Sequence, residues 1–197
     1  MFGRLFKKKQ PQPAGQFLVA QLNVKLQPIH RGEIFEDPLD VALKNANQGE
    51  VSGGGTMQAK SGEIEFCDIE LQAPNSSPET IRLIIETLEH LGAPKGSKLK
   101  VEATDQEIPF GTTEGLAVYL NGTDLPQETY QNCDSNHVYA EFGRLLEGEG
   151  RVFSYWQGPT ETALYMYGKS FEQMKQRLSE FIESYPLCER CRLVQVA

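Results

Sequence analysis

One order of elements occurs twice along this chain. From Phe17 to Leu26 the sequence reads FLVAQLNVKL, with Leu18, Ala20, Leu22, Val24 and Leu26 on one face and Gln21, Asn23 and Lys25 on the other, the pattern of a strand with one buried side. Asp37 and Pro38 open a short helix carrying Leu39, Ala42, Leu43 and Ala46 at helical spacing, which ends near Gly49. Strands over residues 50–58 and 63–71, joined by a turn at 59–62, make a hairpin. Pro78 begins a second helix whose Ile81, Ile84, Ile85, Leu88 and Leu91 form one apolar stripe, stopped by Gly92 and Pro94, and residues 98–101 alternate as a closing strand.

The second half repeats this order. Leu116, Val118 and Leu120 mark a strand, and Val138, Phe142 and Leu145 a helix. Residues 151–157 and 161–167 flank the turn GPT as a second hairpin, offset from the first by roughly 100 residues. Phe171, Met174, Leu178, Phe181, Ile182 and Tyr185 give a further helical stripe, and residues 192–196 a last strand. A β-α-β-β-α-β unit resembles the ferredoxin-like fold, a four-stranded antiparallel sheet with both helices on one face. The resemblance implies an α+β chain of two such units, residues 17–103 and 114–197, joined by a linker at 104–113 and preceded by a basic tail at 1–16. A superfold of this kind carries no activity by itself.

With 197 residues the chain can bury a sizeable core, and 39% hydrophobic and 23% charged residues describe a soluble, globular composition. The formal net charge of −8 opposes binding to nucleic acid, whose phosphates are repelled by such a surface. Positive charge gathers in Arg4 and Lys7 to Lys9, but no apolar run approaches the length that crosses a bilayer, so no stable membrane insertion is expected and the default location is cytoplasmic. In that setting Cys67, Cys133, Cys188 and Cys191 are expected as reduced thiols rather than disulfides.

Three consecutive glycines, Gly53, Gly54 and Gly55, raise the question of a phosphate loop. Such a loop needs a strand before it and a helix after it, whereas here a second strand follows. The glycines are therefore expected to bulge the strand or to admit another group close to its backbone, and an exposed glycine-rich edge also offers backbone to a partner. In the second hairpin Tyr155, Trp156, Tyr165 and Tyr167 are too many large rings for one small core. Some of them should lie on the sheet face away from the helices, against the other repeat or against a partner. Together with Gly53 to Gly55 these rings form the expected interaction surface.

No serine nucleophile context or triad is readable, and His30 and His90 fit surface positions. In EIEFCDIEL, Glu63 and Glu65 share one parity and Asp68 and Glu70 the other, as on a solvated strand face, and the clashing parity of the apolar residues predicts a bulge near Cys67 or burial on both faces. Cys133 and His137 (C-x3-H) with Cys188 and Cys191 (C-x2-C) make a Cys3His zinc set that the topology brings to one end of the sheet. The CxxC pair follows a helix rather than opening one, where the negative end of the dipole disfavours a redox thiolate.

These features favour a non-catalytic, acidic protein-binding module whose partner is another, basic protein, with no cofactor. Small acidic immunity proteins of bacteria and regulatory proteins fit that description. One alternative is a small-molecule sensor, because tandem units of this order resemble paired ACT regulatory domains, although QPIHRGE and NGTDLPQE stand where those domains have D-x-P-G. The other is an enzyme or stabilised domain built on zinc at the Cys3His set.

Overall fold

The computed structural model describes residues 15–197, so the tail reading lies outside the described residues except for Gly15 and Gln16. Two antiparallel sheets form. In the first the strands stand in the order β2-β3-β1-β4-β5, with β1 at Gln16–Leu22, β2 at Glu50–Gln58, β3 at Ile64–Ala73, β4 at Ser97–Val101 and β5 at Gln106–Phe110. In the second the order is β7-β8-β6-β9, with β6 at Glu114–Asn121, β7 at Gly150–Gln157, β8 at Glu161–Gly168 and β9 at Arg192–Gln195. Strip β5 away and the two orders are the same, which is the ferredoxin-like arrangement twice over.

The first sheet thus has five strands rather than four. Gln106–Phe110 lies inside the stretch read as a linker, yet it pairs with β4 from Ser97↔Phe110 to Val101↔Gln106. Its composition, with Pro109 and two acidic or amide residues, suits an edge, where one side of the backbone needs no partner.

The helical layer of the first repeat starts earlier than Pro38. Pro28–Arg31 (α1) runs through a π-helical turn, Gly32–Glu36, into α2 at Asp37–Asn45, and the Asp37 amide closes the wide turn on the Gly32 carbonyl. Proline has no amide to give to residue 34 and crowds that carbonyl in an α-helix, so a widened turn just before it relieves the conflict. Helix α3 spans Pro78–His90 and is capped by Ser77, whose hydroxyl accepts from the Thr80 amide. In the second repeat α4 (Gln127–Asn132) and α5 (Ser135–Leu145) precede the hairpin, and α6 covers Phe171–Ser184.

Four layers result: sheet, helices, sheet, helices. On one side of the second sheet, Leu116, Val118, Leu164 and Met166 pack with Val138, Phe142, Met174 and Leu178 of α5 and α6. On the other side Ala117, Tyr119, Tyr165 and Tyr167 join a core that runs through Phe35, Leu39, Ile84 and Leu88 to Leu18, Ala20 and Ile69 of the first sheet. The first repeat's helices are therefore held between two sheets, and the second sheet has no bare face.

The strand after Leu22 does not continue, but Val24 and Leu26 remain fully buried. Residues 23–27 leave the first sheet and cross to the second repeat, where the Lys25 amide donates to the Tyr167 hydroxyl (2.9 Å) and its carbonyl accepts from Ser154. A bulge in β7 between Val152 and Ser154 turns Phe153 into the same interface, with its ring 6.1 Å from Phe35 and 5.0 Å from Tyr167. β2 carries its own bulge between Val51 and Gly53, opposite Leu71 and Glu70. The rungs correspond, since Leu71 faces Leu18 as Met166 faces Leu116.

A carboxylate closes the interface at its rim. Oε1 of Glu63 accepts from the hydroxyls of Tyr119 (2.7 Å) and Tyr165 (2.8 Å) and lies 3.1 Å from Lys25 Nζ. Burial pushes the Glu63 carboxyl up, but the two phenol hydrogen bonds and Lys25 outweigh it and hold the group below the usual range. Burial and the same carboxylate push Tyr119 up to about 12 and Tyr165 upward as well.

Two outcomes follow from this packing. Phe153→Ala should lower unfolding stability by about 3–5 kcal/mol in urea titrations, as for other buried rings truncated to a methyl group. Because the Glu63 carboxyl is depressed when folded, its contribution is complete above the unfolded value of 4.5 and is lost as pH falls through the lower folded value. Urea titrations should find Glu63→Gln less stable than the parent at pH 7, with the difference narrowing as the pH approaches 3.

Candidate functional site

Alternation along β1 and β3 sends Leu18, Ala20, Leu22, Cys67, Ile69 and Leu71 inward and leaves the opposite face of the first sheet without a covering layer. The parity conflict in β3 is resolved by an irregularity at Glu65. Phe66 pairs with Met57 and Ile64 with Gln58, so the extra residue Glu65 restores Ile64 to the core side. Two rows of outer-face residues cross all five strands: Gly53, Glu70, Val19, Lys100 and Glu107 in one, and Gly55, Asp68, Gln21, Lys98 and Pro109 in the next. Phe17 and Met57 flank them, 50% and 48% exposed.

Charge on this face is divided by strand. Lys98 is tied to Glu107 (2.8 Å), and Lys100 to Asp105 (3.1 Å) and Glu102 (3.5 Å), all on the β4–β5 side. On the β3 side Asp68 accepts from the Gln21 amide (3.2 Å), and among the described residues no ion pair joins Asp68 or Glu70 to a lysine or arginine.

The three glycines divide between the two faces. At Gly54, on the inner face, a Cβ would sit against the Glu36 carboxylate, 2.8 Å from the Asp68 carbonyl oxygen and 3.0 Å from Arg31 Nη2. Arg31, only 7% exposed, donates to Glu36 (2.6 Å), the Gly55 carbonyl (2.6 Å) and the Thr56 hydroxyl (2.6 Å), so the missing side chain makes room for a buried ion pair. Gly53 and Gly55 lie on the outer face. A Cβ at Gly55 would meet nothing closer than 3.9 Å, and at Gly53 only the mobile end of Glu70, at 2.9 Å. They floor a shallow trough beside the two carboxylates. Asp40 also accepts from the Val51 amide (3.0 Å), so side chains of the helical layer already engage part of the edge-strand backbone.

Of the four rings expected at an interaction surface, Tyr165 and Tyr167 are buried between the repeats, and Trp156 is half-buried against the same core. Tyr155 alone of the four is largely exposed, at 46%, because it points to the helix side at the free edge of β7. There it lines a cavity of about 430 Å³ between the repeats, with His30 from α1 and Asn136, Tyr139, Gln157 and Thr162 from the second repeat. The Nδ1 atom of His30 is buried there without a hydrogen-bond partner among the described residues.

Cys133, Cys188 and Cys191 gather in the helix-side core of the second repeat, as the topology predicts. The His137 ring instead packs on Tyr185 and Phe181, with centroids at 5.1 and 5.7 Å. Among the described residues no group of three or more His, Cys, Asp or Glu is placed to hold a metal ion. Burial pushes the Cys188 thiol up to about 12, and Cys191 upward too. All four cysteines are free. Among the described residues no helix is long and apolar enough to cross a membrane.

No sequence motif marks Phe17, Val19, Met57 and Phe66, the apolar residues of the first sheet's outer face. For Phe17 and Val19 the signal is in β1, where the face opposite Leu18, Ala20 and Leu22 carries two apolar residues instead of a fully polar set.

No family model matches the sequence, and no curated protein matches it significantly. Among solved structures, the first two RRM domains of yeast poly(U)-binding protein (Pub1) align at 14% identity over 91% of this chain and 99% of theirs, with a TM-score of 0.26. The regulatory subunit of aspartate kinase from Thermus flavus aligns at 10% identity over 85% and 92%, with a TM-score of 0.28. A heme-binding protein from Thermus thermophilus aligns at 13% identity over 95% and 92%, also at 0.28. Scores this low assign no function, and the chain's own strand pairings identify its architecture: α+β, with two tandem ferredoxin-like units.

Proposed function

We propose that this chain is a non-catalytic protein-binding module whose contact surface is the outer face of the five-stranded sheet. The observation that carries the reading is the asymmetry of the two sheets: the second is covered on both faces, while the first keeps one face bare with Phe17 and Met57 about half exposed. Val19 beside Phe17, and Phe66 beside Met57, add apolar surface at the two ends of the face, with the charged positions between them, a mixture of apolar and polar surface found in protein contacts. The sensor reading has a separate support in the His30–Tyr155 cavity, whose volume of about 430 Å³ is that of a small-molecule site and whose lining comes from both repeats.

Two experiments separate these readings. A tagged chain should recover a specific partner from its source cells, and Phe17→Asp should weaken binding of that partner about tenfold by calorimetry while leaving the unfolding midpoint near the parent value. A thermal-shift screen with amino acids and nucleotides should leave a protein-binding module unchanged, whereas a sensor gains RT ln(1 + [L]/Kd) and loses that gain in Asn136→Leu.

A further inference from the structure

Resting on the reading of the outer face as a binding surface, we propose that its occupant is an extended basic segment of a partner protein, with cationic side chains at alternate positions and apolar residues beyond them. Asp68 and Glu70 are two residues apart on one strand and on one face, which sets them about 6.6–6.8 Å apart along β3. An extended partner has the same repeat, so its side chains at i and i+2 meet both carboxylates at once. Among the described residues no ion pair engages these two acids, while the two lysines of the same face are engaged by Glu107, Glu102 and Asp105 on the β4–β5 side and do not neutralise them.

The shape of the face agrees with its charge. Opposite Glu70 and Asp68 the edge strand presents Gly53 and Gly55, so nothing projects over the carboxylates from that side. On the other side stand Val19 and Gln21, one apolar and one neutral. A lysine or arginine stem lies along the glycine backbone and Val19 while its head reaches a carboxylate. At the ends of the trough, Met57 with Phe66 and Phe17 with Gln72 offer apolar contact to the residues flanking the cations. This placement also accounts for two of the three glycines: Gly54 is required by the Arg31–Glu36 pair, whereas a Cβ at Gly55 would make only ordinary contacts and one at Gly53 would displace only the flexible end of Glu70, so neither is required by the core.

The test uses the full chain and two fluorescein-labelled decapeptides of equal composition, one alternating lysine and valine and one with its lysines in a block, measured by anisotropy at low and at physiological salt. The alternating peptide should bind the parent about fivefold more tightly than the block peptide, and the Asp68→Asn/Glu70→Gln double variant should lose about tenfold in affinity for it, with weaker binding as salt rises. Gly55→Leu fills the trough without meeting backbone, so it should weaken binding by a similar factor while its unfolding midpoint stays near that of the parent. Equal binding of the two peptides, or an affinity unchanged in the double variant, overturns the proposal. So does self-association of the parent in sedimentation that the double variant abolishes, which assigns the face to a second copy. Loss of the cellular partner in Phe17→Asp with no binding of either peptide keeps the face as a protein contact and refutes its basic occupant. A partner indifferent to Phe17→Asp refutes the face itself.

Discussion

The structure depends on how the second sheet's helix-free face is kept from water. A four-stranded sheet with helices on one side has an apolar face and a remainder, and in the second repeat that remainder holds Tyr119, Tyr165, Tyr167 and Phe153. Each large ring taken out of water contributes on the order of 1.5–3 kcal/mol, so leaving four of them exposed would oppose folding strongly. The first repeat meets this demand with the side of its helices that does not face its own sheet. Phe35 in the π-helical turn and the 23–27 segment, which spans the gap with Lys25, are the points at which the two repeats lock.

This arrangement has a polar cost that the rim settles. Tyrosine hydroxyls taken into an apolar layer need acceptors, and Glu63 takes two of them on one oxygen while Lys25 balances its charge. The Tyr167 hydroxyl itself accepts, from the Lys25 amide. The junction is therefore apolar at its centre and hydrogen-bonded at its edge, as in an obligate interface.

The element order was legible in the sequence because alternation and helical spacing report burial directly. The two strand orders and α3 follow from Leu18 to Leu22, from Ile84 and Leu88, and from Pro78. What the pattern concealed was tertiary in origin. Pro38 signals a helix start by its missing amide, but the π-helical turn lets a helical run pass through it. β5 looks like a connection because an edge strand tolerates proline and acids. Glu63 reads as a solvated strand residue, and its tyrosine partners are more than fifty positions away. The candidate surface was half visible: the glycines were singled out, while the apolar outer residues Phe17 and Val19 were masked by the stronger inward stripe.

The matching bulges in β2 and β7 fall at the same rung of the two sheets and lead to different surfaces. An inserted residue at the same rung reverses the facing of everything beyond it, so a single position chooses what the strand displays. In one copy that position is Phe153, and the strand becomes adhesive toward its sibling; in the other it is Ser52, followed by glycines, and the strand stays unadorned. The same inserted residue thus has opposite consequences in the two repeats: one strand gains a ring that seals the repeats together, and the other keeps bare backbone at the margin of its sheet.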